Sequence, residues 1–374
     1  MTRSKWTDKF LNDAKQQGDD FADILITKII EEHSVEKANE VLQYLTEDAQ
    51  PIPEDLPVSL QEYLTQTSHL PDWADEQKIS QAQAFFSARG GVFGVALLCG
   101  SLPILYAGGL GGAQVLAATG QLANHYQRRA GETLRFILDV MKPHGLTAKG
   151  KGIRTIQKVR LMHAAIRYYA SRSPEKWPAK PDWGDPINQE ELIGTLLAFS
   201  TMALKSVEKM NIEVQPEEKE AYLHTWTVIG HLLGIQSKMF PDNMQDAQWL
   251  WDKIAERNFM RTDAGLLLGQ AHLTFLKKVI PGDLFDGIAI SLMRYLMGRK
   301  VTEKYLGYPK PGWTSLLIGV LRFAFGLKER LIDSSRTLQQ IAEKDSIRLM
   351  EGLDELWLTD DSKPFRIPPS LTQK

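Results

Sequence analysis

The sequence contains a single cysteine, Cys99, in 374 residues. One thiol excludes an internal disulfide and any metal site built from several thiolates, such as a zinc ribbon or an iron–sulfur cluster. An excess of either charge is also missing, because 44 Lys and Arg residues are balanced by 46 Asp and Glu residues. A net charge near −2 gives no general attraction to nucleic acid, so we do not expect a nucleic-acid-binding protein.

A secretory signal is not recognisable at the N-terminus. Residues 1–30 carry charges throughout and lack the basic start, apolar run and small-residue cleavage site of such a signal. Together with the lone cysteine, this pattern leads us to expect a cytoplasmic protein. The 43% of hydrophobic residues suffice for a large buried core.

Charged side chains are missing from one long internal segment, between Arg89 and Arg128. This segment is long enough to span a bilayer. Pro103 and several glycines would interrupt a helix there, and the freed backbone groups would find no partners in lipid. We therefore expect the segment to be buried in a soluble protein, with peripheral membrane contact as the alternative.

Apolar residues recur with a spacing near 3.6 along most of the chain, and runs of alternating β-branched residues are lacking. The pattern predicts an all-α fold. Asn188 and Thr262 or Asp263 are expected to cap helices. The predicted helices cover residues 7–46, 77–99, 113–141, 153–171, 188–210, 218–235, 244–258, 263–279, 284–298, 313–328 and 332–356.

Three regions follow from the composition. We expect a polar N-terminal helical appendage over residues 1–75 and a core domain over residues 76–356. The Pro-containing and polar residues 357–374 are expected to form a loose tail.

One histidine stands on the apolar face of the helix predicted at 153–171. The residues Ile156, Val159, His163 and Ile166 follow a spacing of three and four, which places them on one face. A core histidine with both ring nitrogens hydrogen-bonded would explain this position. An inward imidazole on an apolar helix is also what binds the iron of a porphyrin, so both interpretations stay open.

A zinc site is not predicted for the pair His224 and His231. Seven residues separate them, so the two rings lie on one face but roughly 10.5 Å apart along the helix axis. Zinc-binding helical pairs are spaced by four residues. Packing side chains are the alternative for these two histidines.

Arg129, Glu132 and Thr133 form a polar group within one helical turn, at positions i, i+3 and i+4. A solvated ion pair would explain the group. Leu134 and Ile137 make the same helix amphipathic, which places Thr133 near its buried edge.

Several motifs in a fixed order resemble the family of b-type haem oxygenases that includes latex-clearing protein and the mycophenolic acid oxygenase. The motifs lie within about residues 85–300 and are Arg-x-x-x-Thr at 129–133, VRLMHAAIRYY around His163, PINQEELIGTLLAFS, HTWTVIGHLLGI and LMRYLMG. The resemblance implies a globin-like helical core that binds haem b, with His163 as the proximal iron ligand. It also implies that Arg129 and Thr133 lie on the distal side, and that Arg294, His224 and His231 support the pocket or the propionates.

The sequence departs from the rubber-cleaving members of this family at two places. Those members carry a distal lysine where Glu132 stands, and a catalytic glutamate in the segment that here lacks any carboxylate. We therefore do not expect rubber cleavage by their mechanism. Glu132, if buried, is instead a candidate to exchange a proton with the substrate.

The resulting hypothesis is a haem b-dependent oxygenase that acts with O₂ on an apolar unsaturated substrate of isoprenoid or lipid type. The alternatives are a non-catalytic haem or apolar-ligand binding protein, a helical interaction protein without cofactor, and a peroxidase using His125 with Arg129. The residues do not determine the oligomeric state.

Overall fold

The computed structural model describes residues 5–32, 40, 56–108, 111–118, 121–148, 150–172, 177, 183–279, 283–333, 344–346, 348 and 351–352. Over these ranges the chain is helical, with no β-strand beyond one isolated bridge between Gly108 and Phe259. The all-α prediction is therefore confirmed. The helices are α1 (Asp8–Lys15), α2 (Asp20–Glu32), α3 (Val58–Gln66), α4 (Glu76–Ala88), α5 (Gly90–Ala96), α6 (Gly112–Ala118), α7 (Gln121–Met141), α8 (Lys151–Ser171), α9 (Gln189–Leu197), α10 (Ala203–Lys209), α11 (Pro216–Leu232), α12 (Met244–Asn258), α13 (Asp263–Val279), α14 (Asp283–Met297) and α15 (Ile318–Asp333).

Two predicted helix caps are present. The side chain of Asn188 accepts a hydrogen bond from the backbone N–H of Glu191 at 3.0 Å, at the start of α9. The hydroxyl of Thr262 accepts one from Gly265 at 3.0 Å, at the start of α13. Each cap satisfies a backbone donor that has no partner inside its helix, which fixes where that helix begins.

The N-terminal region differs from the prediction of one helix over 7–46. Helix α1 ends at Lys15 because the carbonyls that would continue it bond elsewhere: those of Lys15 and Gln17 accept from the N–H groups of Asp185 and Gln189. The carbonyl of Gly18 accepts from the side chain of Gln189 at 2.7 Å. These tertiary bonds join the N-terminal helices to the core. Helix α3 was not predicted, and the predicted segment 332–356 and tail 357–374 lie mostly or wholly outside the described residues.

The uncharged segment forms the first layer of the core. After α5 the helix widens to a π-helical turn at Leu97–Ser101, tightens to a 3₁₀ turn at Pro103–Ala107 and ends at Gly108. The stretch Gly90–Ala107 is apolar and long enough to cross a membrane, but 67% of it is buried inside the protein. That burial is the arrangement expected of a core helix.

Helix α8 lies at the centre of the region that contains His163. It packs against α7, α2 and α11, while α7 also packs against α13. Buried side chains from α2, α3, α6 and α8 form one apolar cluster, and most of the remaining helices share a second, larger cluster. The candidate site lies where α7 and α8 meet.

Candidate functional site

Helices α7 and α8 run antiparallel, and their pairing sets the geometry of the site. Asp139 accepts a hydrogen bond from the hydroxyl of Thr155 at 2.7 Å. Further along α7, the charge of Glu132 partly opposes the lowering of the Lys158 pKa by burial, and the charge of Arg129 adds to the lowering of the His163 pKa by burial and by Arg167. In these pairs the residue numbers fall along α7 as they rise along α8, which is the pattern of antiparallel helices. Arg129 therefore stands opposite His163.

His163 occupies an unusual position for a core histidine. Burial, and then the charges of Arg167 and Arg129, lowers the pKa of His163 to about 3, so the ring is neutral at physiological pH. The ring is thus enclosed by protein, and yet the side chain is only half-buried by surface area. Both observations fit a ring that borders an internal space.

The ring nitrogens of His163 make no hydrogen bond to the described residues. Its Nδ1 atom is buried without a partner. A core histidine held by a carbonyl and a hydroxyl would have both nitrogens satisfied, because an unpaired buried polar atom costs about 1–3 kcal/mol. The geometry therefore disfavours the purely structural interpretation of His163 and fits an imidazole that binds a ligand.

His272 differs from His163 in that one of its ring nitrogens, Nδ1, is hydrogen-bonded, although its Nε2 atom is also buried without a partner in the described structure. It is 0% exposed, and its Nδ1 atom lies 2.8 Å from the hydroxyl of Tyr308. Its ring also packs against Tyr106 and Tyr126, whose hydroxyls are 2.7 Å apart. Burial lowers the pKa of His272 to about 3, so this ring is a neutral, hydrogen-bonded core histidine.

Arg129, Glu132 and Thr133 are brought together as the spacing predicted. Arg129 donates to Glu132 at 2.8 Å, and Arg128 donates to the other carboxylate oxygen at 3.1 Å. The side chains of Arg128, Arg129 and Glu132 are partly exposed, which agrees with the solvated ion pair that the sequence analysis kept as an alternative. The hydroxyl of Thr133 donates to the Arg129 carbonyl at 2.8 Å, so its proton is engaged within the helix.

The predicted supporting residues contact other parts of the fold. His224 accepts from the backbone N–H of Asp75 at 2.9 Å, and both His224 and His231 meet the edge of Trp73, at 5.9 and 5.6 Å between ring centroids. Arg294 binds Glu303 at 2.9 Å. A role of these three residues toward a cofactor stays a prediction, and the side chain of His125 lies outside the described residues.

Glu191 is a further candidate functional residue, which the sequence reasoning missed. Burial raises the pKa of Glu191 to about 8, and its Oε2 atom is buried without a partner in the described structure. Like His163, it is enclosed by protein but only half-buried by surface area. A Cβ atom on Gly111 would overlap its Oε1 atom, so the carboxyl lies directly against the start of α6.

The neighbours of Glu191 in the sequence have structural tasks, which sets Glu191 apart. Asn188 caps α9, Gln189 bonds to Gly18, Gly234 and Gln236, and Glu190 binds Arg257 at 3.0 Å. The signal that could have identified Glu191 is its third position in a capping box, where a carboxylate turns back toward the helix start.

Backbone strain marks the same place. Ile187 has a φ of 52°, a left-handed conformation that is rare for a β-branched residue. Its carbonyl accepts from Arg167 at 3.1 Å, one helical turn beyond His163 on α8. Its N–H group lies near the Glu191 carboxyl, where it lowers the pKa of that group. Strain of about 1–3 kcal/mol is retained mostly where it positions functional groups.

The residues present fit a haem in one specific respect. Haem needs a single axial nitrogen within an all-α apolar pocket, and His163 is a neutral imidazole on an inward helix face with no hydrogen-bond partner among the described residues. No group of three or more His, Cys, Asp or Glu side chains suited to a metal ion occurs within the described ranges. A single-ligand cofactor does not require such a group.

Comparison with known proteins agrees with this architecture. A family model described as "ER-bound oxygenase mpaB/B'/Rubber oxygenase, catalytic domain" matches residues 84–325. Rubber oxygenase from Streptomyces sp. (strain K30) is 24% identical over 292 residues, which is 76% of this chain and 69% of the relative.

A solved structure of latex clearing protein in the closed state superimposes with a TM-score of 0.70 at 22% identity, covering 90% of this chain and 91% of that one. At this identity the superposition shows that the two chains share a fold. Because the family model matches well over half of the sequence, the chain belongs to the family of ER-bound oxygenase mpaB/B' and rubber oxygenase catalytic domains.

Proposed function

We propose that the protein is a haem b-dependent oxygenase that acts with O₂ on an apolar unsaturated substrate of isoprenoid or lipid type. The observation that carries the proposal is the His163 ring, which is enclosed, neutral and without a hydrogen-bond partner in the described structure, opposite Arg129. Haem held by His163 would supply the iron needed for chemistry with O₂.

The substrate class rests on two further facts. The name of the relative from Streptomyces indicates an apolar polyisoprene substrate for that protein. In this chain residues 90–127 carry no charge, and the side chains of Val92, Phe93 and Ile104 in that segment are buried in the apolar core. Apolar walls with few polar groups suit a hydrocarbon ligand.

On α7, Arg129 places a positive charge opposite His163. Such a cation would stabilise negative charge that develops on O₂ or hold a propionate. Glu132 binds Arg129 at 2.8 Å and thereby fixes its orientation. The hydroxyl of Thr133 donates to the Arg129 carbonyl, so in this arrangement its proton is not free to bind a ligand.

Glu191 is the group we assign to proton exchange with the substrate. Because its pKa is raised to about 8, the carboxyl carries a proton at neutral pH. A pKa this close to neutral pH suits a group that both donates and accepts a proton. Glu132 is less suited to that task, because two arginines bind its carboxylate.

A second candidate function is a non-catalytic carrier of haem or of an apolar ligand. The ion pair between Arg129 and Glu132 favours it, because the carboxylate already offsets the positive charge that would face O₂. Turnover separates the two functions.

The test begins with protein produced under haem supplementation and measured by absorption spectroscopy and a pyridine haemochrome assay. O₂ consumption is then followed with a panel of isoprenoids and unsaturated lipids, with free haem as the reference. Bound haem with consumption above that reference supports the oxygenase. Bound haem without consumption supports the carrier of haem, and colourless protein contradicts both the oxygenase and the haem carrier.

A further inference from the structure

An apolar stripe lies on the surface of the helical segment that ends the described core. Trp313 and Leu316 lie on the 3₁₀ turn Trp313–Leu317, and α15 continues the row with Val320, Phe323 and Leu327. The spacing of three and four residues predicts that these five side chains share one side. Their exposed fractions are 62%, 79%, 65%, 67% and 48%. Soluble proteins expose scattered apolar residues, but an aligned row of five large ones marks an interaction surface. We call this row the α15 apolar face.

The opposite side of the same segment is firmly seated, so the exposure is not that of a detached helix. Thr314 lies 2.9 Å from the hydroxyl of Ser291 on α14, and Ile318 is 7% exposed. Arg322 donates to the carbonyl of Lys209 at 2.8 Å. These contacts orient the α15 apolar face outward, where none of the described residues covers it.

Among the described residues, the exposed charges that flank this row in the sequence are positive. Lys310 and Lys328 are exposed, and no charged residue occurs between positions 311 and 321. The neighbouring carboxylate of Glu329 is buried and binds Arg89. An anionic, apolar partner therefore complements this surface in both respects.

We propose that the α15 apolar face docks on the surface of a membrane that contains anionic lipids, with its helix lying in the plane of the interface. A helix of this kind buries its apolar side at the boundary between headgroups and acyl chains. Trp313 suits that boundary because an indole has an apolar body and a polar N–H group. The lysines then meet anionic headgroups, which attract basic residues near the membrane surface.

A second copy of the chain fits this face less well than a membrane. In a two-fold dimer the same rim of lysines would occur on both partners around one interface, and like charges in such positions weaken association. Anionic lipid instead offers charge of the opposite sign.

Docking would also place the proposed site close to a source of apolar substrate. Helix α15 packs on α14, and α14 packs on the π-helical turn Leu97–Ser101 of the uncharged segment. Membrane binding itself does not depend on haem or on turnover, so it can fail or hold independently of the proposed oxygenase activity.

The test uses the full chain in a vesicle flotation assay, with vesicles of phosphatidylcholine alone and vesicles that also contain phosphatidylglycerol. The protein should float with the anionic vesicles, and the bound fraction should fall as salt is raised. The double variant Leu316→Asp with Phe323→Asp should bind the anionic vesicles at least about tenfold more weakly than the unaltered protein.

The matched control is the double variant Ile24→Asp with Val58→Asp, because both of these side chains are 69% exposed but lie on α2 and α3. It should float like the unaltered protein. Thermal melting followed by circular dichroism should show that both double variants are folded. Equal loss of binding in the two double variants, or no flotation of the unaltered protein, would overturn the proposal.

Sedimentation velocity tests whether a second copy of the chain binds the α15 apolar face. We expect the same sedimentation coefficient for the unaltered protein and for Leu316→Asp with Phe323→Asp. A dimer that this variant dissociates would assign the face to a second copy of the chain and overturn the membrane proposal.

Discussion

Arg129 and His163 stand opposite each other on the antiparallel helices α7 and α8, close enough for the arginine charge to lower the pKa of the histidine. The pairing sets the partly exposed cation of Arg129 beside the neutral imidazole of His163. The first two predictions depend on that relationship.

Replacing His163 by Gly should abolish haem binding, because the only imidazole that we assign to the iron is removed. Added imidazole should restore the absorption band, since the vacated space admits a free ring. The variant His272→Gln is the control, as it keeps a polar group toward Tyr308 and should retain haem. Full haem loading of the glycine variant without imidazole would place the ligand elsewhere.

Arg129→Ala should lower O₂ consumption about tenfold or more. A positioned cation can stabilise developing negative charge by up to several kcal/mol, and a tenfold loss needs only part of that energy. Its effect on stability should be only about 0–1 kcal/mol, since its ion pair with Glu132 is partly exposed. Arg128→Ala is the matched control: it removes the other arginine bound to Glu132 and should change turnover little. Similar losses in both variants would argue against a specific role for Arg129.

Glu191→Gln should flatten the dependence of stability on pH. In the folded protein this carboxyl keeps its proton up to about pH 8, whereas in the unfolded chain it loses the proton near 4.5. The folded state therefore binds more protons in this window, and the free energy of unfolding falls as the pH rises through it.

Urea unfolding between about pH 5 and about pH 9 measures this effect. The variant should lose less stability over that range than the unaltered protein, by on the order of 1 kcal/mol or more. Glu256→Gln, on the exposed side of α12, should leave the pH dependence unchanged. Identical pH profiles for Glu191→Gln and the unaltered protein would contradict the assigned burial.

Gly111→Ala should destabilise the protein by about 1–3 kcal/mol, because its methyl group would overlap the Glu191 carboxyl. Gly112→Ala is the control, since a Cβ atom there meets nothing within 4 Å. Thermal unfolding of both variants gives the comparison. In a Glu191→Ala background the cost of Gly111→Ala should largely disappear, and a cost that persists would show that the carboxyl is not the obstacle.

The helices that carry the site were predictable from local patterns. Repeating apolar residues at three and four positions identified the helix around His163 and put Arg129, Glu132 and Thr133 on one turn. Asn188 correctly predicted the start of α9 as its N-cap residue. These features depend on residues close together in the chain, and helix geometry alone relates them.

Contacts between distant segments were not predictable in the same way. The end of α1 at Lys15 depends on bonds from Asp185 and Gln189, and nothing near residue 15 indicates them. Trp73 likewise joins His224 and His231 from a segment that showed no functional pattern.

The sequence by itself determined an all-α chain, an inward histidine at position 163 and a polar turn at 129–133. Only the tertiary structure decided that Arg129 faces His163, that the Glu191 carboxyl is buried against Gly111, and that the α15 apolar face points outward. The physical reason is that helix periodicity fixes which residues share a face. Which faces meet depends on packing and on the burial of charge summed over the whole fold.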